Sequence, residues 1–429
     1  MQLMANPKNL NGNFLIFLLA FLGPFSTTFL DKINLVVCFF IIFLYFLFSL
    51  ISSRGAKFSG YSILIVTPIV IVVIIGYISG FLNFDIVGTE YQKYVITSRF
   101  FTVISTILFV TCIAIWSERV SSKEHIIFIK VAFASTCLFL IFAIIQQICF
   151  VFNLPFMVDS RSDMHGVPQS IRNLFPNRIT SIAREPNFYA PILVESLILT
   201  RLVFSGLKAY TFYVLTLVVL LLTFSGGAYA HFILLVIFIF LQSLKFNISL
   251  VKTFFKFFLI LILSYTIAIN LFPEFFDNLS QFIYAKSTTE SSGASYRSQI
   301  IQIIIDSWTS SDLKVLLIGN GIASLSFFDE ITGLNTGLDF SITNNLYLDY
   351  LWDAGAIGLV ILLLFWGIAF SYSYRSRFDS LSKQVNVLLF FSLLITSVYR
   401  SEYVTTHHAW LLSLLIVTFK INDKKSPEN

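Results

Sequence analysis

The feature that most constrains this chain is the recurrence of apolar runs long enough to cross a bilayer. Roughly 17–25 apolar residues, wound as a helix, cover the ~30 Å hydrocarbon layer. Such runs centre on residues 14–30, 33–51, 61–81, 100–116, 126–152, 188–204, 209–225, 228–244, 254–271, 346–372, 385–398 and 407–420. Lipid cannot satisfy backbone N–H and C=O groups, so runs of this length must cross as helices. The expectation is an all-α polytopic membrane protein of about twelve transmembrane helices, a single integral membrane domain over residues 1–429. The composition agrees: 57% hydrophobic, 12% charged and a mean hydropathy of +0.84 leave no room for a soluble class. The first run has no small-residue cleavage site before the second, so Phe14–Leu30 reads as a retained helix, not a signal peptide. Cys38, Cys112, Cys137 and Cys149 all fall inside runs, which argues against a disulfide framework or a cysteine metal cluster.

Basic residues set the expected orientation. With the N-terminus inside, the inner connections carry most of them, from Lys8, Arg54 and Lys57 through Arg119, Lys123 and Lys130 to Lys420, Lys424 and Lys425. The short outer connections hold only Lys32, Lys93, Arg99 and Arg400. Both termini are therefore predicted to be cytoplasmic. Two long outer loops remain, about residues 153–187 and 272–345, and function is sought there. No inner loop could house a nucleotide-binding domain, and neither a P-loop nor a dinucleotide fingerprint is present. Nothing points to a nucleic-acid partner.

Inner and outer cations differ in kind. Outside, Arg99, Arg161, Arg172, Arg178, Arg184, Arg297 and Arg400 outnumber Lys32, Lys93, Lys286 and Lys314, whereas lysine dominates inside. The arginine fork suits phosphate and carboxylate, while a lysine suits topology and anionic headgroups. Each loop arginine could instead pair with a loop carboxylate such as Asp159 or Asp163. The stretch "NRITSIAREPNFYAPILVESLILTRLVF", residues 177–204, concentrates the pattern. Pro186 suits the first turn of a helix, and Glu185 sits at its cap. The free N–H groups and the positive end of that helix then lie beside Arg178 and Arg184, a place for an anion at headgroup depth. A lipid-linked phosphate or pyrophosphate fits.

Two further stretches place polar residues at the outer mouth of a helix. In "ASYRSQIIQIIIDSW", residues 294–308, Arg297 begins a surface helix after a Ser/Thr-rich segment. In "TNNLYLDYLWDAGAIGLVILLL", residues 343–364, Asn344, Asn345, Tyr347 and Asp349 head a membrane run, with Asp353 one turn on. Asp349 and Asp353 share a helix face, and an interfacial cap or a buried polar pair would also account for them. Glu195 lies within a run after Pro191, either lining a groove or serving as a buried partner of another helix. His165 reads as an exposed loop residue, His407 and His408 as interfacial. "FFDE" at 327–330 is a lone acidic pair; no metal cluster is visible and no metal or other cofactor is expected.

In this order, these stretches resemble the O-antigen polymerase and ligase superfamily, most closely the Wzy-type polymerases that join lipid-linked oligosaccharide repeats outside the cytoplasmic membrane. "RITSIAREPNF" resembles the family's Arg-x-Thr and Glu-Pro stretch before a membrane helix, and "TFSGGAYAHFILL" its Ser-rich turn between spans. "YRSQIIQIIIDSW", "LLIGNGIAS" and "NNLYLDYLWDAGAIGL" resemble its second-loop arginine, Gly-x-Gly stretch and last motif helix. The resemblance covers roughly residues 170–365. It implies a GT-C-like membrane fold in the bacterial inner membrane and a metal-independent glycosyltransferase. The implied partners are undecaprenyl-pyrophosphate-linked oligosaccharide, the lipid bilayer and a chain-length regulator protein. Arg178 and Arg297 would hold the pyrophosphate leaving group, and Glu185 would act as base or orient the acceptor hydroxyl. Arg172, Arg184, Asn344, Asn345, Tyr347 and Asp349 would bind substrate. Asn344 stands where ligases of the superfamily carry a histidine base, which favours polymerase over ligase. A lipid-linked oligosaccharide flippase is the other rival, but it would place its charges within spans and needs no large second loop.

Overall fold

The computed structural model describes residues 7–51, 58–158, 178–244, 293–334, 343–377, 380–400 and 405–421, with isolated helical positions between 263 and 280. It builds helices α1 (Pro7–Leu22), α2 (Asp31–Ile51), α3 (Gly60–Leu82), α4 (Phe84–Lys93), α5 (Phe100–Ser117), α6 (Ser122–Val151), α7 (Pro186–Val203), α8 (Gly206–Leu222) and α9 (Gly226–Leu244). After these come α10 (Gly293–Thr309), α11 (Leu313–Ile318), α12 (Phe328–Thr332), α13 (Leu346–Ser376), α14 (Leu381–Tyr399) and α15 (Thr406–Lys420). A π-helical turn, Tyr94–Arg99, joins α4 to α5. Among the described residues, the extended pairing is one isolated bridge between Thr28 and Ala183.

Among the described residues, six helices are long and apolar enough to cross a membrane: α3, α5, α6, α13, α14 and the Asp31–Phe48 part of α2. Shorter apolar helices cover Gly12–Thr27, Gly206–Leu222 and Gly226–Gln242. Large apolar side chains point out of the bundle along them, Phe40, Ile74 and Leu364 among others, as in a helix that faces lipid tails. The chain is thus a multi-pass α-helical membrane protein.

Helix starts follow from local chemistry. Ser59 accepts from the N–H of Ser62, Ser380 from Lys383, Thr405 from His408, and Asn345 from both Tyr347 and Leu348, each satisfying first-turn donors that a helix cannot bond itself. The first apolar run behaves differently from its sequence pattern. Its helix begins at Pro7 and stops at Leu22, where Gly23 and Pro24 open a 3-10 turn through Thr27. Gly23 is there for space, because a Cβ would strike the Trp410 ring.

Polar contacts sort the helix ends into two sets. At one end Asn34 donates to Thr406 (3.0 Å), Gln146 to Thr180 (3.0 Å), Arg400 to the Phe188 carbonyl (3.0 Å) and Lys314 to Asn83 (2.7 Å). At the other, Glu118 takes the Ser59 N–H (2.9 Å) and Lys420 (2.8 Å), Arg201 meets Gln384 (3.3 Å), and Ser382 meets the Ile421 carbonyl (3.2 Å).

The Gly-x-Gly stretch is a backbone dock. Asn320 N–H donates to the Trp352 carbonyl (2.8 Å), Gly321 N–H to that of Asp353 (3.1 Å), and Ile322 N–H to that of Gly76 on α3 (3.0 Å). The Asp353 carboxylate accepts the Ala323 N–H (3.1 Å), and Asn83 and Tyr91 bond the carbonyls of Asn320 and Ile322. The approach requires glycine. Gly355 breaks α13 at φ 67°, and a Cβ there would land on the Leu317 carbonyl; one at Gly319, φ 80°, would lie 2.6 Å from the Ala354 nitrogen. We expect Gly355→Ala to cost about 3 kcal/mol or more. Gly367→Ala in the same helix, where nothing lies within 4 Å of the new Cβ, should be neutral or stabilising. Equal melting curves for the two variants in detergent would show that the dock is not close.

Candidate functional site

Most of the backbone N–H groups from Ile179 to Arg184 are bonded, which is how the polar stretch Thr180–Ser181 can lie buried at the start of α7. Ile179 N–H donates to the Leu222 carbonyl (3.1 Å). The buried Gln146 side chain of α6 accepts the N–H groups of Thr180 (2.9 Å) and Ser181 (2.7 Å) and returns a bond to the Thr180 hydroxyl. Ser181, at φ 55°, donates its hydroxyl to the Phe139 carbonyl (2.6 Å). Arg184 N–H reaches the Thr27 carbonyl (3.0 Å). Pro186 then opens α7 with its fixed φ and no donor to waste.

Two arginines leave this segment toward different neighbours. Arg178 donates through Nε to the Thr223 carbonyl (3.2 Å) and through Nη2 to that of Phe224 (3.1 Å), so its fork holds the turn between α8 and α9. Arg184 bonds the Thr28 carbonyl through Nε (3.1 Å) and forms an ion pair with Asp31, its side chain 47% exposed. Glu185 takes the N-cap position in extended conformation, φ −142° and ψ 156°, and its carbonyl accepts from Phe188 (3.0 Å) and Tyr189 (3.2 Å). Its carboxylate makes no capping hydrogen bond. Asn187, in the first turn, accepts from the Ser225 hydroxyl (2.6 Å).

A third arginine arrives from α14. Arg400 follows its last residue, beside the negative end of that helix, and is buried. It donates to the Phe188 carbonyl (3.0 Å) and lies over the Phe188 ring, 4.3 Å from its centre. Burial lowers the Arg400 pKa to about 9, against the opposing pull of Tyr399, Glu195 and Glu185; the group remains a cation at neutral pH. Below it, His231 of α9 places Nδ1 3.1 Å from the Tyr399 hydroxyl and Nε2 3.0 Å from that of Ser392. Glu195 of α7 and His407 of α15 meet at 3.0 Å with both side chains 0% exposed. Glu195 is therefore the buried partner of another helix; α7 runs through Pro191 as one helix. His407 and His408 are both buried.

The start of α13 joins from another side. Asn344 adopts φ 57°, a left-handed conformation that asparagine tolerates, and Asn345 caps the helix. Tyr347 donates its hydroxyl to the Leu394 carbonyl on α14 (3.1 Å), about a turn and a half before Arg400. Asp349 accepts the Thr343 N–H (2.9 Å), whereas Asp353 serves the Gly-x-Gly dock. Arg297 stands in the helical backbone of α10, three residues before Ile300, which packs with Ile304, Leu325, Phe328 and Trp352 in a small core of its own. The side chain of Arg297, and Arg161, His165 and Arg172 altogether, lie outside the described residues.

One end of the bundle thus gathers Arg178, Arg184, Glu185, Asn187 and Arg400 around the start of α7, with Tyr347 anchored to the same α14. Such a place can hold an oxyanion and present a carboxylate beside it. Sequence reasoning counted Arg400 among the outer arginines without assigning it to the site, and passed over Tyr399 and His231. The available signal was an outer arginine directly after an apolar run; its meeting with α7 spans 212 positions of sequence. Among the described residues no three His, Cys, Asp or Glu side chains gather in a metal-binding group. Against protein-family models, curated proteins and solved structures, the chain has no match.

Proposed function

We propose that this chain is a Wzy-type polymerase that joins undecaprenyl-pyrophosphate-linked repeat units at the outer face of the bacterial cytoplasmic membrane. In this reading the chain crosses twelve times, both termini are cytoplasmic, and the end that carries the start of α7 faces outward. The observation that carries it is the buried Arg400 guanidinium on the Phe188 carbonyl, three residues from Glu185, at the end of the bundle where Arg178 and Arg184 leave the same segment. In the reaction an acceptor sugar hydroxyl attacks the anomeric carbon of the donor. The bond from that carbon to the pyrophosphate oxygen breaks with its electron pair, and Glu185 takes the hydroxyl proton. Charge grows on the leaving pyrophosphate, where fixed arginines and helix N–H groups stabilise it more in the transition state than in the ground state. A polyprenyl pyrophosphate is already an activated donor, so positioning and anion stabilisation are the main demands on the protein.

Purified protein incubated with a lipid-linked repeat unit should give a ladder of products on a gel. Transfer of a single chain to lipid A core would make it a ligase, and no glycosyl transfer would return it to transport or scaffolding. Within the same assay, Arg178→Lys and Arg297→Lys should each lose most activity while still inserting, because lysine keeps the charge but loses the fork. For Arg178 the fork also spans two carbonyls, so the Lys variant must be compared per folded molecule. Near wild-type polymer from both would sink the pyrophosphate assignment.

A further inference from the structure

At the opposite end of the bundle, α6, α7, α14 and the residue after α15 enclose a groove of about 380 Å³ lined by Ile126, Ile129, Lys130, Leu202, Leu381 and Ile421. Five of the six are apolar and the sixth is a cation. Its depth follows from the helix ends: Leu202 lies next to the last residue of α7, Leu381 is the first of α14 and Ile421 follows α15. Of these helices α14 is long and apolar enough to cross a membrane, which puts its first residue, and the helix ends beside it, near the headgroup level. Lys130 reaches the same level because α6, at 30 residues, runs about 45 Å and overshoots a ~30 Å hydrocarbon layer.

Most charges near the groove have a partner of their own, Lys383 on the Phe419 carbonyl among them. Lys420 pairs with Glu118 at 2.8 Å, Arg201 meets Gln384, and Glu124 accepts the Ser121 N–H at 3.1 Å. No carboxylate lines the groove, and Lys130 is exposed with no ion pair among the described residues. A lone ammonium at interface depth above an apolar slot matches the phosphate and acyl chain of one molecule.

We propose that this groove binds an anionic phospholipid from the leaflet at this end, its phosphate on Lys130 and an acyl chain along Ile126, Ile129 and Leu202. The site is independent of the polymerase reading. The test uses the full chain in detergent, with phosphatidylglycerol, phosphatidylcholine and inorganic phosphate added separately, and reads bound lipid by native mass spectrometry together with the melting midpoint. Phosphatidylglycerol should bind and raise the midpoint more than phosphatidylcholine, and inorganic phosphate should do neither. Lys130→Gln should weaken phosphatidylglycerol retention about fivefold, the worth of one basic residue at an anionic surface, and erase the preference over phosphatidylcholine. Ile126→Trp, which fills the slot from its exposed edge and leaves the charge, should weaken both lipids. Unchanged preference in Lys130→Gln, unchanged retention in Ile126→Trp, or an equal effect of inorganic phosphate would overturn the proposal.

Discussion

Glu185→Gln is expected to abolish or strongly reduce polymer formation per folded molecule, with little effect on insertion or melting. Glutamine keeps the shape and the hydrogen-bonding capacity but cannot accept a proton. Losing an N-cap bond would cost about 0.5–2 kcal/mol of stability, yet the Glu185 side chain makes no such bond, so the stability cost should fall below that range. The comparison to make is turnover against pH, with His165→Ala as a variant that should stay largely active. Full turnover in Glu185→Gln would reduce Glu185 to a structural residue and move the search for a base to Asp349, the histidines or the substrate itself.

The second large effect concerns stability. Glu195→Ala should destabilise the bundle by about 3–5 kcal/mol, because it strands a buried His407 that now meets the carboxylate at 3.0 Å. The intact pair is not itself a large net gain. Oε1 of Glu195 has no hydrogen-bond partner, a desolvation cost that the pair carries in the native state. The asymmetry gives the test its form: the double variant Glu195→Ala/His407→Ala should be more stable than the two single losses added together. Strictly additive melting shifts, measured in one detergent, would mean that the two side chains are neighbours without energetic coupling.

How much of this was legible in the sequence depends on the range over which the determining contact acts. Runs bounded by polar residues translated into helices within a few positions: 61–81 became Gly60–Leu82, and 100–116 became Phe100–Ser117. The run at 14–30 did not, because Gly23 and Pro24 end the helix inside it while Lys8, Asn9 and Asn11 disguise its true beginning. Arg178, Arg184 and Glu185 could be read together because they are adjacent in the chain and precede a proline. Arg400, Tyr399 and His231 could not, since nothing local says which face of α14 meets α7 and α9. Nor could the partner of Glu195, which is supplied from 212 residues away. The Gly-x-Gly stretch was legible as a motif and not as a contact: its glycines clear the way for backbone, as at Gly319 against Ala354, and only the fold supplies the neighbour.

That dock has an energetic consequence for the second loop. Loop segments ordinarily open at little cost, because their amides face water. Here the amides of Asn320, Gly321 and Ile322 are bonded into the spines of α13 and α3, and that of Ala323 to an α13 carboxylate, so none can exchange with solvent unless the loop parts from two membrane helices together. The free energy of local opening at this point therefore approaches that of unfolding the bundle itself. The small core that carries α10 hangs from this fixed point through Trp352, whose indole N–H bonds the Ser324 hydroxyl at 2.9 Å. The Asn320–Ala323 stretch is in this sense part of the same cooperative unit as the spans, and it inherits their rigidity.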